Sequence, residues 1–172
     1  MIFREEENYR FFTRKMIKEL KGCCDLLAYA LMPNHFHFLI YVPLMDQESA
    51  MSNAIPVLSR KLGTLQSSYS QAINKRYNRV GALFQAKAKR KLATDYASIC
   101  FHYIHQNAMK AGLAKDLRGW DYSSFNVFLE SNEEGLVNKE LAYQLLALPR
   151  DPNTFESESY GVINDARLDD LF

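Results

Sequence analysis

A chain of 172 residues has the length of one domain with a real core. Its three cysteines are the adjacent Cys23 and Cys24 and the distant Cys100, which excludes a disulfide framework or a C-x-x-C site and fits free thiols in a reducing cytoplasm. No apolar run approaches the roughly 20 residues that cross a bilayer, and Glu5-Glu6-Glu7 falls where a secretory leader would need apolar residues. The net charge of +1 hides an asymmetry: residues 1–129 carry 18 bases against 10 acids, and residues 130–172 carry 3 against 10. Between Ser49 and Thr94 there are nine Lys/Arg and no acid. A basic body of this kind suits a polyanionic partner, although on charge alone a solvated basic helix face is the better account.

Residues 6–21 predict an amphipathic helix, with Tyr9, Phe12, Met16 and Leu20 as its apolar stripe and Gly22 at its end. Cys24 to Leu31 reads as a strand, Met32-Pro33-Asn34 as a turn, and His35 to Val42 as the returning strand. Leu58, Leu62, Leu65, Tyr69 and Ile73 predict a long helix from about Ile55 to Arg76, capped by Ser52 or Asn53 with Pro56 in its first turn. Leu83 to Ala93 alternates, with Lys87, Lys89 and Lys91 on one side, and predicts a basic strand. Thr94 or Asp95 starts a helix that runs to about Met109, with Gly112 after it. A loop with Trp120 leads to a short element at Ser124–Leu129. Lys139–Leu148 predicts a helix, and the Pro/Asp/Ser-containing remainder a mobile tail. The order helix, strand, strand, helix, strand, helix is α+β. With one more strand in front it is a ferredoxin-like, split β-α-β antiparallel sheet with helices on one face, so the first strand of that fold is missing here. The expected organisation is a domain over 1–129 and an acidic, helical or mobile C-terminal extension over 130–172.

Two features carry chemistry. His35 and His37 lie two apart in the second strand and share one face, where a pair of imidazoles can grip a metal ion. For a bare H-x-H pair, one packed and one exposed histidine is the commoner outcome, because two ligands do not define a site. Tyr103 and Asn107 are four apart on one helical face. The surrounding His102, His105 and Gln106 form a polar cluster that a purely structural helix does not need. A divalent ion polarises a phosphodiester, and a tyrosine hydroxyl, with a pKa near 10, needs such help to attack it. A structural zinc site on His35, His37, His102 and His105 is a competing reading, since imidazoles suit zinc.

The chain resembles the REP-associated tyrosine transposases of the single-tyrosine HUH transposase superfamily over roughly Ile2 to Leu129. The resemblance rests on Ile2-Phe3 followed by acids, on Tyr29 through Leu39 with its Pro33-Asn34-His35-Phe36-His37 centre, and on Gly81-Ala82-Leu83-Phe84-Gln85. It continues with Tyr103-Ile104-His105-Gln106-Asn107, Lys110-Ala111-Gly112-Leu113 and Trp120-Asp121-Tyr122-Ser123-Ser124. The resemblance implies that His35 and His37 are metal ligands, that Tyr103 is the nucleophile, and that Asn107 completes the metal site. It implies Mg²⁺ or Mn²⁺, single-stranded hairpin-bearing DNA as substrate, and a 5′-phosphotyrosine intermediate. It also implies a homodimer, no membrane, and a cytoplasmic protein that joins the nucleoid when bound to DNA. The sequence departs from the family pattern in two places. It begins at the Ile-Phe segment, which a strand usually precedes, and it has Ala108 where Pro often follows the helical Asn. Lys75, Arg76, Arg79, Lys87, Lys89, Arg90 and Lys91 are the expected DNA-binding residues. The alternative is a catalytically inactive or domesticated DNA-binding module of the same fold.

Overall fold

A computed structural model of the chain describes residues 1–43, 49–85, 88–130 and 135–161, with the backbone alone for 49–55. The fold is α+β, with one two-stranded antiparallel sheet and six α-helices among the described residues. The chain divides into two compact units: residues 1–25, 33–35 and 41–88 form one, and residues 26–32, 36–40 and 89–172 form the other.

In the first unit, α1 (Glu6–Leu20) packs against α2 (Ser49–Arg76). Glu6 and Glu7 in the first turn of α1 complement its dipole. The expected stripe of Tyr9, Phe12, Met16 and Leu20 is buried, and Gly22 follows at φ +77°, a backbone that glycine adopts without strain. Leu65, Tyr69 and Ile73 of α2, at spacings of four, answer that stripe and are buried. The Phe3 ring stacks on Tyr9 at 4.6 Å and meets Phe12 edge-on at 5.1 Å. The Ile2 and Phe3 amides both donate to the Pro33 carbonyl, and the Tyr69 hydroxyl donates to the Ile2 carbonyl at 3.1 Å. The N-terminal segment is thus tied down by hydrogen bonds to a turn and a helix. The α2 helix begins at Ser49, ahead of the expected cap at Ser52 or Asn53, and Pro56 lies inside it. Proline there withholds one N–H from the helical ladder but leaves the helix continuous.

β1 (Asp25–Met32), which belongs to the second unit from Leu26 on, is buried at every residue from Leu26 to Met32 except Tyr29, as a strand covered on both faces should be. The Pro33-Asn34 turn returns the chain into β2 (His35–Tyr41), and so short a connection requires antiparallel pairing. The other edge of β1 pairs with the segment at Tyr122–Ser124. Leu31 N–H donates to the Tyr122 carbonyl at 2.8 Å, Ser124 N–H donates to the Tyr29 carbonyl at 3.0 Å, and Ala30 and Ser123 form an antiparallel bridge. Trp120 Nε1 donates to the Leu31 carbonyl at 3.1 Å and holds this segment in place.

A 3₁₀ turn at Thr94–Tyr96 leads into α3 (Ala97–Lys110), and no side chain caps the entry. Three shorter helices follow: α4 (Phe125–Leu129), α5 (Lys139–Leu146) and α6 (Pro152–Ser159). Phe101, Phe125, Phe128 and Phe155, all at most 1 % exposed, form the core they share. Phe155 stacks on Phe125 at 5.6 Å and on Phe128 at 5.4 Å, and Phe128 meets Phe101 edge-on at 4.9 Å.

Two expectations are corrected here. The described residues between Leu83 and Ala93 form no strand, because alternating Ala and Lys supplies no β-branched or aromatic side chain to pack on a sheet. Residues 152–159 are helical and packed where a mobile tail was expected. Asp151 caps α6 through the Thr154 N–H at 2.8 Å, Pro152 occupies its first turn, and Phe155 is buried.

Candidate active site

Helix α3 sorts its residues by face. Phe101, Ile104, His105 and Ala108 point into the aromatic core and are at most 4 % exposed. Tyr103, Asn107 and Lys110 fall at i, i+4 and i+7 and share another face. Tyr103 and Asn107 are half-buried there, and Lys110 is exposed. The Tyr103 ring meets the His37 ring edge-on with centroids 6.5 Å apart. The Lys110 ammonium lies 5.1 Å from the Tyr103 centroid, a cation–π contact. The strand thus contributes an imidazole and the helix a phenol with a cation beside it.

His35 precedes His37 by two residues in β2 and projects from the same face of that strand. Its Nδ1 lies 2.8 Å from Asn34 Oδ1. An amide oxygen only accepts, so Nδ1 carries the hydrogen and Nε2 is the lone-pair nitrogen. Burial holds the His35 pKa below its ordinary value, which favours the neutral, metal-binding form at pH 7. Asn107 Nδ2 donates to the Tyr103 carbonyl at 2.9 Å. A backbone carbonyl requires the amide nitrogen on that side, so Oδ1 is turned away from the helix backbone.

Imidazole nitrogens and an amide oxygen are donor types that can ligate a divalent ion, and a hydrogen bond at the other nitrogen, as at His35, is what orients an imidazole for that role. Among the described residues, no three His, Cys, Asp or Glu side chains group as a metal site, so a centre here depends on an amide oxygen or on the substrate.

The remaining polar residues of α3 are structural, which corrects the reading of them as a functional cluster. His105 is buried, with Nε2 2.7 Å from Ser124 Oγ. That hydroxyl also accepts the Tyr29 N–H at 2.9 Å and lies 3.3 Å from the Tyr29 carbonyl. The consistent arrangement has Nε2–H donating to Ser124 and Ser124 donating to Tyr29. His105 Nδ1 is buried among aromatic rings with no partner, and burial, reinforced by His102, lowers the pKa to about 3. His102 Nδ1 meets Ser159 Oγ at 3.2 Å. Gln106 donates to the carbonyls of Ser159 and Gly161 at 2.8 and 2.9 Å. The zinc reading fails for the same reason, since His102 and His105 are committed to serines of the packed interior.

The expected DNA-binding residues divide between the two units. In the first, Lys75 and Arg76 are exposed in the last turn of α2, where Arg76 pairs with Glu5 at 2.7 Å. Arg79 Nη1 donates to Asn74 Oδ1 at 3.2 Å. In the second, Lys89, Arg90 and Lys91 are exposed on non-regular chain, with the Lys91 ammonium 6.0 Å from the Tyr96 centroid. Lys87 lies outside the described residues. No described helix is long and apolar enough to cross a membrane. Lys110 is the member of the site that sequence reading gave no role, although its i+7 spacing from Tyr103 marks it. Compared with protein-family profiles, with curated proteins and with solved structures, the chain gives no match.

Proposed function

We propose that this protein is a transposase-like enzyme that nicks and rejoins single-stranded, hairpin-bearing DNA, with Tyr103 as nucleophile. The observation that carries this reading is the approach of Tyr103 to His37 at 6.5 Å, because it sets a nucleophile beside an imidazole that can serve a phosphate-binding ion. In this reading the hairpin and its flanking helices are a ferredoxin-like sheet, and the protein works as a homodimer.

His35, His37 and Asn107 are the residues that would hold Mn²⁺ or Mg²⁺. Such an ion, when bound, supplies charge to a non-bridging phosphate oxygen. Tyr103 Oη attacks phosphorus, the new O–P bond forms, and the bond from phosphorus to the 3′-oxygen breaks. The phenolic proton leaves to solvent, and the departing 3′-oxygen takes one from water. The 5′-phosphotyrosine conserves one phosphodiester-like bond, so a 3′-hydroxyl can reverse the attack and rejoin the strand without ATP. The rigid α3, packed through Phe101 and His105, fixes the direction of attack. The exposed bases Lys75, Lys89, Arg90 and Lys91 are the source of phosphate affinity.

A second reading, a DNA-binding module of the same fold without catalysis, is favoured by the lack of a third His, Cys, Asp or Glu donor among the described residues. One experiment separates the two. Labelled hairpin-bearing single-stranded DNA is incubated with protein and Mn²⁺ and resolved under denaturing conditions. A band that carries DNA on protein, and vanishes in Tyr103→Phe, supports the enzyme. Binding without any such band supports the module.

A further inference from the structure

We propose that Lys110 contacts the scissile phosphate and acts with Tyr103 as a catalytic residue; this rests on the nuclease reading above. Three observations point to it. The ammonium of Lys110 lies 5.1 Å from the Tyr103 ring centroid. Tyr103, Asn107 and Lys110 form one stripe along α3, while the residues behind them are locked into the core. Lys110 is exposed, so its flexible stem can carry the charge from the ring toward an arriving anion.

Geometry gives that movement a target. A phosphorus poised for attack stands about 3–3.5 Å from Oη, at the rim of the same ring. The four-carbon stem of Lys110 can swing its ammonium from the ring toward the non-bridging oxygens on that phosphorus. Without DNA the cation rests on the electron-rich face of Tyr103; with DNA it has a fully charged partner on the same side of the helix. The attack piles charge onto those oxygens, and a cation aimed at them lowers the barrier.

The ordinary alternative is that Lys110 only complements the dipole at the C-terminus of α3. That role needs a positive charge but no phosphate. The two can be told apart with Lys110→Ala and Lys110→Arg. The probe is labelled single-stranded DNA with a hairpin followed by a flank of varied sequence. The unmutated protein first maps the scissile phosphate, through the length of DNA left on it.

At saturating DNA, Lys110→Ala should slow adduct formation about 100-fold, and Lys110→Arg should restore most of the rate. The second readout is affinity in the non-reacting Tyr103→Phe protein. Replacing the mapped phosphate by a neutral methylphosphonate should weaken binding several-fold when Lys110 is present. In Tyr103→Phe combined with Lys110→Ala the same replacement should cost almost nothing, because the partner is already gone. Equal losses in both proteins, or a Lys110→Ala adduct rate within twofold of the unmutated rate, overturn the Lys110 assignment and leave the nuclease reading standing. No adduct in the unmutated protein overturns both.

Discussion

The phenol of Tyr103 and the imidazole of His37 meet edge-on at 6.5 Å, one from a helix and one from a strand. His102 and His105 cannot stand in for His37, nor Tyr69 for Tyr103. His102 and His105 are turned to Ser159 and Ser124, and Tyr69 is buried in the first unit with its hydroxyl bound to Ile2. Tyr103→Phe should therefore leave stability within about 0.5 kcal/mol, DNA affinity within twofold, and no adduct. A gel-resolved adduct in this variant would place the nucleophile elsewhere. His35→Ala and His37→Ala should each abolish the adduct while DNA binding without metal persists.

Phosphate affinity should come from bases that the fold leaves exposed. Lys75 and Lys89 are such positions, and their units differ. Each phosphate neutralised on a single strand contributes about −0.7 to the slope of log affinity against log salt. Lys75→Ala and Lys89→Ala should each flatten the slope by up to about that amount, and together by the sum. Lys91, with its ammonium over Tyr96, should matter less. Fluorescence anisotropy across a salt series reads the slopes, and unchanged slopes in the double variant would remove these residues from the interface.

His105 makes stability depend on pH. Its folded pKa, about 3, lies below the ordinary 6.5 of an unfolded histidine. Above 6.5 it is neutral in both states and adds no pH dependence. As pH falls from 6.5 toward 3, only the unfolded chain takes up the proton. The folded state then loses up to about 1.4 kcal/mol per pH unit. His105→Leu forfeits the bond to Ser124 and should be less stable at pH 7. It should nevertheless lose less between pH 7 and 5 than the unmutated protein does. That interval lies above the range of Glu7, Glu140 and Glu156, whose pKa values are lowered by Arg14, Arg150 and Arg118 respectively. Urea midpoints at the two pH values measure the difference, and identical slopes would show that His105 is not the titrating group.

What could be read from the sequence follows the strength of the periodic signal. The hairpin was legible because an apolar run, a Pro-Asn turn and an alternating His-Phe run all agree. The first helix was legible from one stripe of four residues. The 83–93 segment misled because alternation of Ala and Lys has the period of a strand without the side chains that stabilise one. The last helix was missed because one aromatic, Phe155, carries nearly all of its burial, and a single residue has no period. At the site, the relation of Tyr103 to Asn107 and Lys110 is helical arithmetic. The relation of Tyr103 to His37 is not, since it joins residues 66 positions apart in sequence. The polar cluster on α3 misled for a similar reason: Ser124 and Ser159, which absorb it, are distant in sequence and unremarkable as residue types.

The α6 helix should control how firmly α3 is held. Phe155 fills the gap between Phe125 and Phe128, and the C-terminal end of α6 accepts two hydrogen bonds from Gln106 of α3. Gln106 is one turn from Tyr103 and next to Asn107, so these bonds secure the segment that bears the proposed nucleophile. Phe155→Ala removes a ring that is wholly buried, which costs about 3–5 kcal/mol where the core cannot collapse. The loss should be felt first as freed α6 and loosened α3, because the amides of Tyr103 to Lys110 then lack a packed neighbour on that side. Hydrogen exchange should quicken across Tyr103–Lys110 at temperatures where β1 is still protected. Gln106→Ala should reproduce the faster exchange with a smaller loss of stability, since it removes two hydrogen bonds and leaves the rings in place. Adduct formation should slow in both variants in proportion to the exchange. If exchange at Tyr103–Lys110 is unchanged in Phe155→Ala, α6 is not what holds α3 rigid.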